Sequence, residues 1–336
     1  KLQKAKIQTE TESYVTHYPE FIHLADTQIE KCFWTHSEIK VEKDIQDLMV
    51  NLSESEKHGV LTVLKLFLKY ELFVGKEYWL DRVMKKYPRP EIQRMAACFG
   101  NVELNVHAPF YNKINEVLGI ATDEFYSSYV NDPILKDRMD FIDELVSSDD
   151  DALSIAGFSM VEGAVLYSSF AFLKHFQNNG KNLMLNVVRG INQSAIDENL
   201  HAIGGAMIFR TQLQEEGRTE QEVNDLKVRI KKLAEKIYEH ESRICEMIFE
   251  KGAITGITQH QMEEFIKSRI NICLENLGIE KIYEVKYNPI GAWFYDALNK
   301  YQFNDFFTGI GREYVRDWDE HAFGSVWTED EENVVV

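Results

Sequence analysis

The sequence has few cysteines and no long apolar run. Its four cysteines, Cys32, Cys98, Cys245 and Cys273, stand far apart and form no CxxC pair. This spacing argues against a disulfide framework and a thiolate zinc site, and it favours a reducing cytoplasm. No stretch of 18 apolar residues occurs, and the first residues, KLQKAKIQTETE, lack the apolar core of a signal peptide. We therefore expect a chain that is neither exported nor embedded in a membrane.

Basic residues are also scarce. The chain carries 37 Lys and Arg against 55 Asp and Glu, which gives a formal net charge of −18. Nucleic-acid binders and anionic-membrane binders need a basic face, so both classes are disfavoured. The apolar share of 44% is too high for a disordered chain, and a length of 336 residues can bury a sizeable core.

The strongest pattern in the sequence is the helical spacing of its apolar residues. Apolar residues recur at three- and four-residue spacing in several segments of 20 to 30 residues, which is typical of helix bundles. The only run with a hint of strand alternation is Lys281–Val285. The fold predicted is therefore an all-α bundle with one continuous core. The predicted helices cover residues 58–87, 91–118, 152–178, 183–212, 217–251 and 259–277.

One acidic residue stands out inside the most apolar of these segments. Glu162 is the only acid between Phe158 and Phe176. It could be a surface or helix-end acid, but its sequence neighbours are mostly apolar. A buried carboxylate is costly unless it is paired or bound to a cation, so a metal ligand is the preferred interpretation.

The next apolar helix carries a Glu and a His three residues apart, Glu198 and His201. At that spacing both side chains leave one face of a helix and can bind the same ion. The bare pattern is weak, because Glu20 and His23 have the same spacing by chance. Its setting in a core helix beside the helix of Glu162 makes it stronger.

A carboxylate-bridged metal pair in a bundle needs a matching set from two more helices. Glu71 and His107 supply an acid and a histidine in the first half, in the same order. Glu77 and Asp81 lie on the helix of Glu71 and remain alternatives to it. His107 alone would more often be a hydrogen-bonded core histidine.

Several further residues support a family resemblance. Tyr111 follows His107 by four residues, Asp197 directly precedes Glu198, and Trp34 lies in the context EKCFWTHSEI. Near the end, NDFFTGIGREYVR contains Tyr314. With these motifs, the chain from about Asp26 to its end resembles the radical-generating small (β) subunit of class I ribonucleotide reductase.

The resemblance implies a ferritin-like bundle with a dimetal-carboxylate site that activates oxygen and oxidises Tyr111 to a radical. The radical is passed through Trp34, Asp197 and Tyr314 to the large (α) subunit, which holds the ribonucleotide. The implied cofactors are two iron ions per chain, or manganese, or a mixed pair. The implied partners are the large subunit and a second copy of the chain in a homodimer, with an activating flavoprotein possible and no nucleic acid or membrane. The implied metal ligands are Glu71, Glu103, His107, Glu162, Glu198 and His201.

The resemblance also sets the expected domain limits and surroundings. One domain is expected over residues 1–316, with an N-terminal extension at 1–25. Residues 317–336, which include the acidic TEDEENVVV, are expected to be a flexible tail that docks the large subunit. Leu166 and Phe170, one and two helical turns beyond Glu162, are expected to shield Tyr111, although core packing alone would also account for them.

One motif departs from the family pattern. The expected ExxH is here Glu103-Leu-Asn-Val-His107, with four steps instead of three. Either a one-residue π-bulge brings Glu103 onto the face of His107, or that carboxylate is missing from the site. Pro109 favours the bulge, because it cannot donate a hydrogen bond to the carbonyl of Asn105.

Two rival functions remain at this point. The first is a ferritin-like dimetal oxidase or desaturase acting on its own substrate, which would have no need of Trp34, Tyr314 and a docking tail. The second is a non-enzymatic helical interaction or iron-storage protein, in which Tyr111 would serve only packing.

Overall fold

The computed structural model describes residues 2–296, and within them helices dominate. Eleven helices of eight residues or more are named here in chain order. They are α1 (Pro19–Asp26), α2 (Glu54–Phe73), α3 (Pro90–Val102), α4 (Ala108–Val117), α5 (Asp123–Asn131), α6 (Pro133–Val146), α7 (Asp151–Met160), α8 (Tyr167–Lys174), α9 (Leu185–Glu215), α10 (Glu220–Ile248) and α11 (Gln259–Asn276).

Three of the long helices begin with a reciprocal cap that the sequence encodes. A Ser or Thr side chain accepts from the backbone three residues on, and the Glu or Gln there accepts from the cap residue. These capping boxes start α2 at Ser53, α10 at Thr219 and α11 at Thr258. Each satisfies backbone donors that a helix start leaves free.

Helix α9 forms the centre of the bundle. It is 31 residues long, and its residues 194–209 are all buried, as a helix that is apolar nearly all round requires. It packs against α7, α8 and the segment between them. That neighbouring stretch, Asp151–Gln177, is the one part of the described chain long and apolar enough to cross a membrane, and its apolar window is 100% buried inside the protein. Such burial is what the core helix of a globular bundle shows.

Short π-helical segments interrupt the helices around this centre. Three of them matter for the site: Val74–Val83 continues α2, Glu103–His107 joins α3 to α4, and Val161–Val165 lies between α7 and α8. A π turn inserts one extra residue and so rotates all side chains beyond it. The helix face that points to the core before such a segment is therefore not the face that points to it afterwards.

The predicted all-α fold is confirmed, and each of the six predicted helical segments is present. Helices α1, α5 and α6 were not predicted from periodicity. Within the described residues no strand forms: Lys281–Val285 is irregular, and Ile254 and Ile257 make one isolated bridge. The start of the chain packs on the bundle, with Ile7 fully buried and its N–H donating to Glu215.

Candidate metal centre

Four carboxylates and two imidazoles meet in the middle of the bundle. They come from four places: the end of α2, the two π segments Glu103–His107 and Val161–Val165, and α9. All six side chains are at most 1% exposed. Their ligand atoms form two groups that share two glutamates, and the atoms within each group lie within 4.8 Å of one another. The first group is Glu71, Glu103, His107 and Glu198, and the second is Glu103, Glu162, Glu198 and His201.

The expected π-bulge is present at Glu103–His107. The N–H of Ala108 donates to the carbonyl of Glu103, five residues back. The extra residue brings the Glu103 carboxylate between the two histidines: one oxygen lies 3.1 Å from Nδ1 of His107 and the other 2.6 Å from Nδ1 of His201. Pro109 sits in the first turn of the next helix, where it needs no N–H donor. Sequence spacing of four steps is therefore no obstacle to Glu103 facing the cluster.

The close approach of Glu103 depends on a glycine on the opposite segment. Gly75 lies in the π segment that continues α2. A Cβ at this position would stand 2.9 Å from Cβ of Glu103 and 3.0 Å from Cγ of Leu104. Because Gly75 has no side chain, the π turn at Glu103 can pack directly against its backbone.

Among the candidate first acids, the structure places Glu71 in the cluster. Its side chain is fully buried, and one oxygen lies 3.4 Å from Nδ1 of His107. The side chain of Glu77 is 50% exposed beside Lys76, and that of Asp81 is 49% exposed beside Lys85. The two alternatives therefore point away from the cluster.

The charges of the cluster do not balance. Within the described residues, both carboxylate oxygens of Glu71 and of Glu198 lack a hydrogen-bond donor. Burial, with the neighbouring carboxylates adding to it, raises the pKa of Glu71 and Glu162 well above the usual range and that of Glu198 to about 8. Burial would also raise the pKa of Glu103, but the imidazole of His107 lowers it below its ordinary value. Four buried carboxylates cannot all ionise here without added positive charge.

This imbalance fits two bound metal ions. Carboxylate oxygens and imidazole nitrogens are the ligands that iron and manganese accept in proteins. Each of the two groups offers four such atoms, and the shared glutamates Glu103 and Glu198 are placed to bridge two ions. The orphaned oxygens of Glu71 and Glu198 would be satisfied by coordination. The six residues therefore have the composition and placement of a dimetal-carboxylate site.

Three neighbours of the cluster were not predicted from the sequence. Trp79 Nε1 donates to one oxygen of Glu162 over 2.7 Å, and the Tyr70 hydroxyl donates to the other over 3.2 Å. Gln28 Nε2 donates to Asp197, and its Oε1 lies 2.8 Å from Nε2 of His201. The π segment shifts the phase of the helix beyond Phe73, so helical spacing from Glu71 could not reveal Trp79 as a neighbour of Glu162.

Tyr111 lies in an apolar pocket beside the first group. It is fully buried, and its ring centroid is 6.5 Å from that of His107. Phe67 stacks on it with centroids 4.2 Å apart, and Phe170 stacks in turn on Phe67. Burial raises the pKa of the Tyr111 phenol well above its usual range, and the Glu71 carboxylate adds to this effect. Leu166 and Phe170 are buried as expected, but Phe67, which was not predicted, makes the direct contact.

A hydrogen-bonded path leads from the cluster to the edge of the bundle. Asp197 Oδ2 lies 2.9 Å from Nε2 of His107 and accepts from Nε1 of Trp34 over 2.8 Å. Trp34 is 2% exposed, whereas the preceding Phe33 is 56% exposed, so Trp34 lies just below the surface. Tyr314 lies outside the described residues, as does the tail 317–336.

Comparison with known proteins identifies the family. The family model of the ribonucleotide reductase small chain matches residues 12–289. The chain belongs to this family. It is accordingly a small chain of an oxidoreductase, and the family resemblance drawn from its motifs is confirmed.

Individual relatives agree with this assignment. The chain is 26% identical to a protein assigned as a ribonucleoside-diphosphate reductase small subunit in invertebrate iridescent virus 3, over 90% of this chain and 84% of the viral one. It is 25% identical to the ribonucleoside-diphosphate reductase subunit beta of Treponema pallidum, over 75% of this chain and 72% of that one.

Solved structures show the same fold. A protein from Bacillus halodurans assigned as a class I ribonucleotide reductase superposes with a TM-score of 0.73 at 26% identity, covering 84% of this chain and 100% of that one. The dimanganese(II)-NrdF of Streptococcus sanguinis reaches a TM-score of 0.73 at 21% identity, covering 84% and 98%. The second likeness supports the fold alone.

Proposed function

We propose that this chain forms a radical at Tyr111, stores it, and passes it to a large subunit that reduces ribonucleotides to deoxyribonucleotides. The chain itself would bind no nucleotide substrate. One observation carries the proposal: the unbroken contact from His107 through Asp197 to Trp34, which leads away from the cluster towards the surface. An enzyme that oxidises its own substrate at the metals has no use for such a path.

Each proposed ligand has a role that follows from its place. Glu71 and His107 would hold the ion nearer Tyr111, Glu162 and His201 would hold the other, and Glu103 and Glu198, which belong to both groups, would serve both ions. Two iron ions, two manganese ions or a mixed pair would supply the activation of dioxygen, and iron is the preferred choice. Trp79 and Tyr70 fix both oxygens of Glu162 through hydrogen bonds. Such outer neighbours orient a ligand and tune its affinity for metal.

The surroundings of Tyr111 suit a stored radical. Its ring is stacked on Phe67 and the residue is fully buried, so reductants in the solvent do not reach its hydroxyl. On oxidation the phenol must release its proton, because its raised pKa keeps it protonated at neutral pH. The cluster carboxylates, Glu71 first among them, are the acceptors at hand.

Transfer to the large subunit would start at the surface below which Trp34 lies. We propose that Tyr314 continues the path and that residues 317–336 dock the large subunit, with residues 1–316 forming a single domain. Both Tyr314 and the tail lie outside the described residues. A homodimer in the cytoplasm completes the proposal, and an activating flavoprotein is a further candidate partner.

Electron paramagnetic resonance after loading with metal and oxygen tests the proposal. The wild-type protein should bind two metal ions per chain and give a tyrosyl radical signal, and Tyr111→Phe should abolish the signal. Tyr78→Phe is the matched control and should keep the signal, because Tyr78 is also buried but its hydroxyl pairs with Ser154 and not with a proposed ligand. Trp34→Phe should keep the signal but lose ribonucleotide reduction with the large subunit.

Three results would count against the proposal. A signal that survives in Tyr111→Phe and disappears in Tyr70→Phe would move the radical to Tyr70. Metal content that never exceeds one ion per chain would remove Glu103 from the ligand set. Turnover of a small organic substrate without a large subunit would favour the dimetal oxidase.

A further inference from the structure

We propose that Arg269 is a positioning residue for the metal centre, holding Glu162 and Glu198 at the spacing that the second ion requires. The inference rests on the proposed function, because it assumes that both glutamates bind metal. Arg269 lies on α11, which contributes no residue to the cluster.

The guanidinium of Arg269 makes three hydrogen bonds inside the bundle, where the side chain is 2% exposed. Nε donates to the carbonyl of Gly163 over 2.9 Å, and one terminal nitrogen donates to Oδ1 of Asn199 over 2.8 Å. The other donates to the Tyr295 hydroxyl over 3.0 Å. The guanidinium also lies 3.9 Å from the ring centre of Tyr167.

The two shorter bonds reach the residues that directly follow two proposed ligands. Gly163 follows Glu162 in the π segment Val161–Val165, and Asn199 follows Glu198 on α9. The planar guanidinium presents its donors at fixed angles, so it sets the distance between the two acceptors as a flexible ammonium would not. Arg269 thereby ties the backbone beside one ligand to the side chain beside the other.

The local packing is adapted to this contact. A Cβ at Gly163 would overlap Sγ of Cys273, one turn beyond Arg269 on α11, and would lie 3.1 Å from Cβ of Ala202 on α9. The absent side chain allows α11, α9 and the π segment to meet. A π segment also disturbs the regular carbonyl ladder, which makes its carbonyls natural acceptors for outside donors.

Arg138 is a useful comparison, because it is a buried arginine that contacts the same π segment but has a purely structural role. It is 1% exposed and donates to Val165, the last residue of the same π segment, over 3.2 Å. Its Nε, however, makes an ion pair of 2.7 Å with Glu241. All three acceptors of Arg269 are uncharged groups. Within residues 2–296 no carboxylate pairs with Arg269. A buried cation without such a pair is costly for folding alone, so a role in placing the ligands accounts for Arg269 better.

Metal binding to the full-length apoprotein tests this inference, with Arg269→Lys and Arg138→Lys as a matched pair. Titration with Mn²⁺ or Co²⁺, followed by calorimetry and by the visible spectrum of bound Co²⁺, reports on each ion without turnover. Loss of an outer-shell partner typically costs about 10–100-fold in metal affinity. We expect Arg269→Lys to weaken one of the two ions by about this factor and to change the Co²⁺ spectrum. Arg138→Lys should leave the affinity within about threefold of wild type.

A second pair of variants keeps Arg269 in place and protects the test if Arg269→Lys fails to fold. Asn199→Leu removes the acceptor on α9 and should weaken the same ion, whereas Asn199→Asp keeps an acceptor and should retain it. Equal affinities in all four variants, or equal losses in Arg269→Lys and Arg138→Lys, would overturn the inference. Failure of the wild-type protein to bind two ions would instead refute the proposed function.

Discussion

Two buried polar clusters in this bundle are built on opposite principles. Arg138 and Glu241 form a balanced pair, both 1% exposed, with Ser168 donating to the second oxygen of Glu241. The metal centre, a few turns away, holds four glutamates against two histidines, and both oxygens of Glu71 and of Glu198 lack a donor. The balanced pair is complete within the protein, and the metal centre is not.

This difference separates structural charge from functional charge. A buried ion pair whose lone pairs and protons are all satisfied needs nothing from solution. An excess of buried carboxylate is unfavourable in the apoprotein and becomes favourable only when cations bind, so its free-energy cost is linked to metal binding. The same mutation, Glu to Gln, should therefore have opposite effects on the stability of the apoprotein in the two clusters.

The largest effect is expected for Glu241→Gln. This change leaves the Arg138 guanidinium buried without its carboxylate, which typically costs about 3–5 kcal/mol. Glu198→Gln should instead stabilise the apoprotein above about pH 8, because it removes an ionised carboxylate from a crowded negative site. Urea unfolding of metal-free protein measures both changes.

Added metal should stabilise the two variants to different extents. Glu198 belongs to both ligand groups, so Glu198→Gln should lose most of the stabilisation that metal gives to the wild type. Folded Glu241→Gln protein should be stabilised by metal as much as the wild type, because Glu241 belongs to neither ligand group. Destabilisation of the apoprotein by both variants to the same extent would remove the distinction between the clusters.

Much of the fold and part of the site could be predicted from the sequence. The long helices follow from apolar spacing, which depends only on the neighbours along the chain. Glu162 could be singled out because it is the lone acid in an apolar helix, and Glu198 with His201 because three residues bring them onto one face. These signals are local. Helices α1, α5 and α6 are only 8, 9 and 14 residues long, so the apolar spacing repeats fewer times in them than in the longer segments.

The rest of the site depends on contacts between distant segments. Gln28 lies 169 residues from Asp197, and Arg269 lies 106 residues from Gly163. No spacing rule connects such positions in a single sequence. The π turns add a second obstacle, because each shifts the phase of the residues that follow. Pro109 hinted at one of them, at Glu103–His107, but no comparable residue indicated the turns at Val74–Val83 and Val161–Val165.

A second, smaller contrast concerns protons. Burial and neighbouring carboxylates raise the pKa of Glu198 to about 8 in the apoprotein, above the ordinary 4.5. The stability that this carboxyl contributes is therefore fully present below about pH 4.5 and is lost progressively between pH 4.5 and pH 8. Bound metal keeps the same carboxylate ionised and displaces its proton. The stabilisation gained from metal should therefore grow by about 2 kcal/mol between pH 6 and pH 8.

Melting curves with and without Mn²⁺ across this range measure the gain. Taking the difference between the two curves removes the contribution of groups outside the cluster, such as His175, whose pKa burial lowers to about 3. Glu198→Gln should flatten the dependence. A metal-induced gain that is constant with pH would mean that the apoprotein holds no displaceable proton at this site.

The smallest change in stability is expected for Gly75→Ala, which alters the packing beside the metal centre and not its charge. A methyl group at Gly75 would press on Cβ of Glu103 at 2.9 Å. Overpacking costs about 1–3 kcal/mol and a Gly-to-Ala change in a helix returns about 1, so Gly75→Ala should lose about 1 kcal/mol of stability. Its main consequence should be weaker metal binding, because Glu103 belongs to both ligand groups.

Gly59→Ala is the matched control for this last prediction. Its methyl group would overlap the ring of Phe172, at a place that contains none of the six cluster residues. We expect a similar loss of stability with unchanged metal affinity, measured by urea unfolding and by Mn²⁺ titration of the same samples. If Gly75→Ala and Gly59→Ala weaken metal binding equally, then general loosening of the bundle, and not the position of Glu103, controls the metal centre.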